Sequence, residues 1–107
     1  MINILVTAKE RSLIECMMRD IINCLYDDKA FYNKFIKLNR ANNIIQINDD
    51  IYIRFCTAEK NNIRGHRPDY FWTDSKDAEN YLTAVGSKKL GYYGKVISVM
   101  KKGEKYE

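Results

Sequence analysis

The chain has 107 residues, a formal net charge of +4 at pH 7, 46% hydrophobic residues and 30% charged ones. That length supports one domain with a buried core but not two, and the apolar content excludes a disordered chain. No stretch approaches the length of a membrane span.

The first element is Ile2 to Val6, INILV, an apolar run suited to a buried strand. Thr7 and Glu10, three apart, then form a capping-box pattern at the start of a helix. Ile14, Met17, Met18, Ile21, Ile22 and Leu25 recur at spacings of three and four, which defines one continuous apolar helical face. Arg11, Glu15, Arg19 and Asn23 take the opposite side. Cys16 and Cys24 fall within this helix and are expected to pack as small hydrophobes. With Cys56 they make an odd count of three without CxxC spacing, which reads as reduced thiols rather than a disulfide framework. The single His66 has no neighbouring cysteine, so no zinc site is expected.

Asp27 and Asp28 are suited to capping a second helix, with Phe31, Phe35 and Leu38 along one face. Asn39 to Asn43 ends it. In NIIQINDDIYIRF, two β-rich runs flank Asn48-Asp49-Asp50, and Asn and Asp tolerate turn geometry, so a β-hairpin is predicted. Ile51, Ile53 and Phe55 alternate with Tyr52 and Arg54, which puts one side of that strand in the core and the other outside. Thr57 to Pro68 has no periodicity. Asp69 to Thr73 is a short strand in which Tyr70 and Trp72 are expected in the core. Asp74 or Ser75 starts a helix whose Ala78, Tyr81, Leu82 and Val85 share a face, and Gly86 stops it. Gly94 to Met100 reads as a β-branched strand, and 101–107 as a charged, frayed tail. The order strand, helix, helix, hairpin, strand, helix, strand predicts a single α/β domain over 1–107. A partly parallel sheet with an edge β-hairpin carries helices packed on it. Ligands of such sheets bind beyond the carboxyl ends of the strands, at the loops after Val6 and Thr73.

Two groups of cations stand out. Arg54, Lys60, Arg64 and Arg67 crowd the loop region around Gly65 and His66, with Glu59 as the one acid among them. Lys88, Lys89, Lys95, Lys101, Lys102 and Lys105 populate the last quarter. Either group can meet phosphates. Tyr92 and Tyr93, between Gly91 and Gly94-Lys95, suit stacking on single-stranded nucleic acid and equally suit a protein interface. Gly65 supplies either a positive backbone angle or a close approach to a ligand. His66 lies between two arginines, whose charge is expected to lower its pKa.

The run NIIQINDDIYIRF, followed by IRGHRPDYFWTD, resembles the ATPase core of phage terminase large subunits. There a hairpin precedes a basic Arg-Gly loop and a hydrophobic strand that ends in the acidic Walker B pair. INILVTAKERSLIECMMRDIINCL resembles that family's preceding strand-and-helix unit, and GYYGKVISVM sits where a later core strand would come. The resemblance implies a nucleotide-hydrolysing scaffold, from which this sequence departs twice. These 107 residues hold no Gly-x-x-x-x-Gly-Lys-Ser/Thr P-loop: Gly86 and Gly91 have the spacing, but Tyr92 and Tyr93 follow. Ser75 also stands where the family's catalytic Glu belongs, and serine cannot act as general base at neutral pH.

The expected function is therefore non-catalytic, without a cofactor. It is a phage-type binding protein on a terminase-ATPase-like scaffold that docks on nucleic acid or on a phage or host protein. The expected contacts are Arg54, Lys60, Arg64, Gly65, His66, Arg67, Lys88, Lys89, Tyr92, Tyr93 and Lys95. A small inhibitor of a host defence protein, such as an anti-CRISPR, is the alternative. A metal-dependent nuclease or ATPase completed by another chain is the third reading. It needs Asp69, Asp74 and Asp77 to converge on one ion, whereas Asp69 and Asp74 bracket one strand at about 3.3 Å per residue. Asp74 is the candidate ligand for such an ion, and with Asp77 three residues on it also fits a helix cap, the reading preferred for it. MINILVTAKE carries no secretory pattern, so the cytoplasm is expected, that of the host cell if the chain is phage-encoded.

Overall fold

The structure is a computed structural model that describes residues 2–27 and 36–91. Six strands and three helices follow one another among them: β1 Ile2–Ala8, α1 Arg11–Asp27, β2 Ile36–Asn39, β3 Ile44–Ile47, β4 Ile51–Thr57, α2 Lys60–Ile63, β5 Tyr70–Thr73, α3 Lys76–Ala84 and β6 Lys88–Lys89. The strands form one mixed sheet in the order β2-β3-β4-β1-β5-β6. β1 is central and parallel to both β4 and β5, β6 runs parallel to β5, and β2-β3-β4 is an antiparallel meander at one side. The predicted hairpin is thus present, with Asn48 at φ +50 in its turn, and β2 extends it to the edge.

Alternation along the strands divides the core in two. On one face Ile4, Val6 and Ala8 of β1 join Ile51, Ile53 and Phe55 of β4 and Ile45 and Ile47 of β3 beneath α1. The apolar stripe of α1 is buried at the six positions its periodicity predicts. On the other face Leu5 and Phe71 pack against Ile63 of α2 and against Ala78 and Leu82 of α3. Burying a side chain of the size of Phe55 or Phe71, both essentially inaccessible, contributes about 1.5–3 kcal/mol. No helix is long and apolar enough to cross a membrane among the described residues.

Several local expectations are corrected. β1 runs on through Thr7 and Ala8, because Thr7 pairs with Cys56 on one side and Thr73 on the other. Thr7 therefore caps nothing, and α1 begins on the Glu10 carbonyl, which accepts from Leu13 and Ile14. Cys16 and Cys24 are exposed, since helical spacing places them away from the buried stripe. Leu38 belongs to β2, opposite Ile45, where pairing with β3 overrides a helical pattern. The rest of that predicted helix, with Phe31 and Phe35, lies outside the described residues, as do the strand and tail expected beyond residue 91. Thr57 to Pro68 holds the short α2. Tyr70 and Trp72 are half-buried and packed against the α1-side core. α3 is capped by Ser75, whose hydroxyl accepts from the Ala78 N–H, and not by Asp74. It stops as predicted at Gly86, φ +94, with Ser87 N–H on the Leu82 carbonyl and Gly86 N–H on that of Thr83, the bonds of a Schellman motif.

Candidate functional site

The segment from Arg64 to Pro68 leaves α2 and returns to the start of β5. Three anchors hold it. Gly65 N–H donates to the Tyr81 phenol oxygen at 3.0 Å, His66 N–H donates to the Ile63 carbonyl, and the Ser87 hydroxyl donates to the Pro68 carbonyl at 2.6 Å. Gly65 has φ +85, and a Cβ there would meet nothing within 4 Å. Its positive backbone angle is by itself enough to ask for glycine.

This segment walls a groove of about 230 Å³ whose floor is the outward side of β1 and β4, with Asn3, Leu5, Tyr52 and Arg54, and whose rim carries His66 and Arg67. A second hollow, of about 290 Å³, lies beside it at the carboxyl end of β4, and Arg54 and His66 line both. It reaches Arg11 and Asn43. A third, of about 420 Å³, shares Glu15, Met18 and Asn43 with the second and adds Arg19 and Arg40. The second hollow is lined from both sides of the sheet because β3 begins at Ile44, opposite Arg54, so Cys56 and Thr57 extend beyond it. The linings of these three hollows together hold Arg67, Arg54, Arg11, Arg40 and Arg19 and one carboxylate, Glu15. Only Arg11 touches it, at 3.8 Å and highly exposed, an ion pair of little strength. Guanidinium groups stay charged and offer forked donors to phosphate oxygens.

Two titratable groups sit at the bend. Burial first, and the Arg54 charge second, lower the His66 pKa, while a hydrogen bond with the Asn62 backbone works the other way. The shift has the predicted direction, but its main cause is burial and its cationic neighbour is Arg54, not the flanking arginines. Burial pushes the Cys56 thiol up to about 11, against the opposing pull of Arg54.

The structure thus brings Arg54, Gly65, His66 and Arg67 together. Lys60 and Arg64 are exposed on α2 and at its end, outside the groove. Lys88 and Lys89 lie on β6, three strands from β4. Lys88 lines a fourth depression that shares Arg67 and Pro68 with the groove and adds Asp69, and Lys89 is engaged by Glu79 at 2.6 Å, which holds that carboxyl below its ordinary range. Tyr92, Tyr93 and Lys95 fall outside the described residues. Asp74 Oδ1 accepts from the Lys9 backbone N–H at 2.9 Å. No three His, Cys, Asp or Glu side chains gather around a possible ion among the described residues. Sequence reasoning misses Tyr52, Arg11, Arg19 and Arg40 as site residues, although alternation along β4 turns Tyr52 outward.

No protein-family model matches the sequence, and no curated protein does. Two solved structures do: the large terminase from a thermophilic bacteriophage in one crystal form, and the same protein in complex with ADP in another. Both give a TM-score of 0.60 over 81% of this chain, at 19% and 20% identity. The chain spans about a quarter of the length of each, 25% and 24%. At that identity the likeness concerns the fold, and these residues have a terminase-like α/β fold.

Proposed function

We propose that this chain is a non-catalytic binding module that uses a terminase-like scaffold to dock on nucleic acid. The observation that carries the reading is a set of three neighbouring hollows whose linings together hold five arginines and one glutamate. Such a surface attracts a polyanion and has little use for a neutral or basic partner. Burial pushes the Cys56 thiol in the second hollow up to about 11, which works against a thiolate nucleophile there. Residues 1–107 contain no P-loop pattern, and Ser75 follows Asp74 where a general base would stand. Both features favour binding over ATP hydrolysis.

The test is equilibrium binding of labelled oligonucleotides between about 50 and 200 mM salt. Four neutralised phosphates make affinity fall about 50- to 150-fold over that range. Salt-independent binding, or none, overturns the proposal, and a host protein retained from lysate after nuclease treatment favours the inhibitor reading instead. Hydrolysis of ATP by the purified chain overturns its non-catalytic part.

A further inference from the structure

The outward side of β4 has a composition that phosphate attraction alone does not require. Tyr52 is half-buried there, with its phenol ring in the groove floor. Register places Asn3 of β1 on one side of it and Gln46 of β3 on the other. Two residues on, Arg54 stands in the next row, about 6.6 Å along the strand. α2 and α3 pack over Leu5 and Phe71, and α2 reaches the Cys56 end of β4, while Tyr52 stays half-buried and Arg54 exposed. An aromatic ring flanked by two amides and followed by an arginine offers a face for a base, hydrogen-bonding groups for its edge, and a cation for its phosphate.

We infer that this face takes a single strand of nucleic acid, with one base stacked on Tyr52 and the adjoining phosphate on Arg54. The inference rests on the nucleic-acid reading above and adds the form of the ligand. Two arguments select a single strand over a duplex. A duplex keeps its bases paired and stacked, so a lone tyrosine in a sheet floor finds no exposed base face. Arg54 and Arg67 line the groove on one side of the sheet and Arg19 and Arg40 a hollow on the α1 side, so a ligand that meets both must turn around the end of the strands within a few tens of ångströms. A flexible single strand can follow that turn, whereas bending a duplex so sharply is strongly opposed by its stiffness. Gln46 Nε2 is held by the hairpin turn, donating to the Asn48 carbonyl at 2.8 Å, which fixes the amide beside the ring. The carboxylates near this face, Asp49 on Gln46 and Asp69 on the Asn3 backbone, lie toward the amino end of β1, so the strand leaves Tyr52 in the direction of Arg54 and His66.

The experiment measures binding of the full chain to oligothymidylate and oligouridylate of about 15 nucleotides and to a duplex of equal length. It uses the parent, Tyr52→Phe, Tyr52→Leu and Arg54→Ala, each checked for folding by thermal melting. The expected result is tighter binding of a single strand, DNA or RNA, than of duplex. Affinity for it should drop about ten-fold in Tyr52→Leu and be kept in Tyr52→Phe. Arg54→Ala should weaken every ligand and flatten the salt dependence by about one phosphate contact. Salt-sensitive binding that favours duplex and ignores Tyr52→Leu would overturn the single-strand inference and leave the arginine groove standing. No binding of either form would remove both.

Discussion

Asp74 Oδ1 accepts a hydrogen bond from the Lys9 backbone N–H at 2.9 Å, which ties the turn after β1 to the exit of the parallel strand β5. The two residues are 65 positions apart, and the bond closes the carboxyl-end loops of the two strands on each other. The carboxylate that resembles a magnesium ligand in sequence is here a brace between loops. Asp74→Ala should therefore lower stability by about 1–2 kcal/mol, as expected for a partly solvated bond to a charged acceptor, and Asp74→Asn should lose less because Oδ1 is kept. Denaturant melts of the three proteins with and without magnesium check this. A magnesium stabilisation present in the parent and absent from Asp74→Ala would make the residue a ligand instead.

Thr7 presents the opposite situation. Its hydroxyl is fully buried between β4 and β5 and has no hydrogen-bond partner among the described residues. An unmade buried hydrogen bond costs about 1–3 kcal/mol, and valine has the same branched shape and a high strand preference. Thr7→Val should raise stability by about 1 kcal/mol, and Tm by about 4–8 °C. A lowered Tm would mean that the hydroxyl has a partner in the folded chain.

The three thiols should separate into two classes. Cys16 and Cys24 are exposed on α1, while Cys56 is largely covered and its pKa is pushed up to about 11 by burial. Alkylation proceeds through the thiolate. At mildly alkaline pH a limiting amount of iodoacetamide should label Cys16 and Cys24 first and Cys56 last, read by peptide mass mapping. Early labelling of Cys56 would show that the α2 segment over β4 opens readily.

Much of this architecture can be read from residue order, for reasons specific to each element. The stripe of α1 is visible because six apolar residues at helical spacing have one burial solution, and the β3–β4 hairpin because Asn48 accepts a positive φ that few residues tolerate. What escapes is non-local. Nothing near Thr7 announces that two neighbouring strands will extend β1 through it, and Leu38 reads as helical until Ile45 pairs with it. The groove is half legible. Arg54, His66 and Arg67 are close in sequence, but Arg11 comes beside Arg54 and His66, and Arg19 and Arg40 line the next hollow, only through the packing of α1 at the end of the sheet. Alternation alone turns Tyr52 outward, whereas its partners Asn3 and Gln46 need the register of two different strands.

His66 is the chain's only histidine, so its titration can be followed as a single imidazole resonance. Burial and the Arg54 charge lower its pKa in the folded chain below the ordinary value of about 6.5. The folded state therefore binds fewer protons than the unfolded state between that lowered value and about 6.5, and stability falls as the pH drops through this window. His66→Gln should remove that part of the pH dependence. The groups facing the imidazole include Arg54 across the groove and Arg67 beside it, with Arg11 and its partner Glu15 in the adjoining hollow. Polyanion binding acts in the reverse sense, because a phosphate near His66 favours the imidazolium. Adding oligonucleotide should raise the His66 pKa, and affinity should increase as the pH falls from about 7 toward about 5.5. In His66→Gln that increase should vanish while binding above neutral pH stays nearly unchanged. A resonance that titrates identically with and without oligonucleotide would place the ligand elsewhere than on the Arg54 side of the loop.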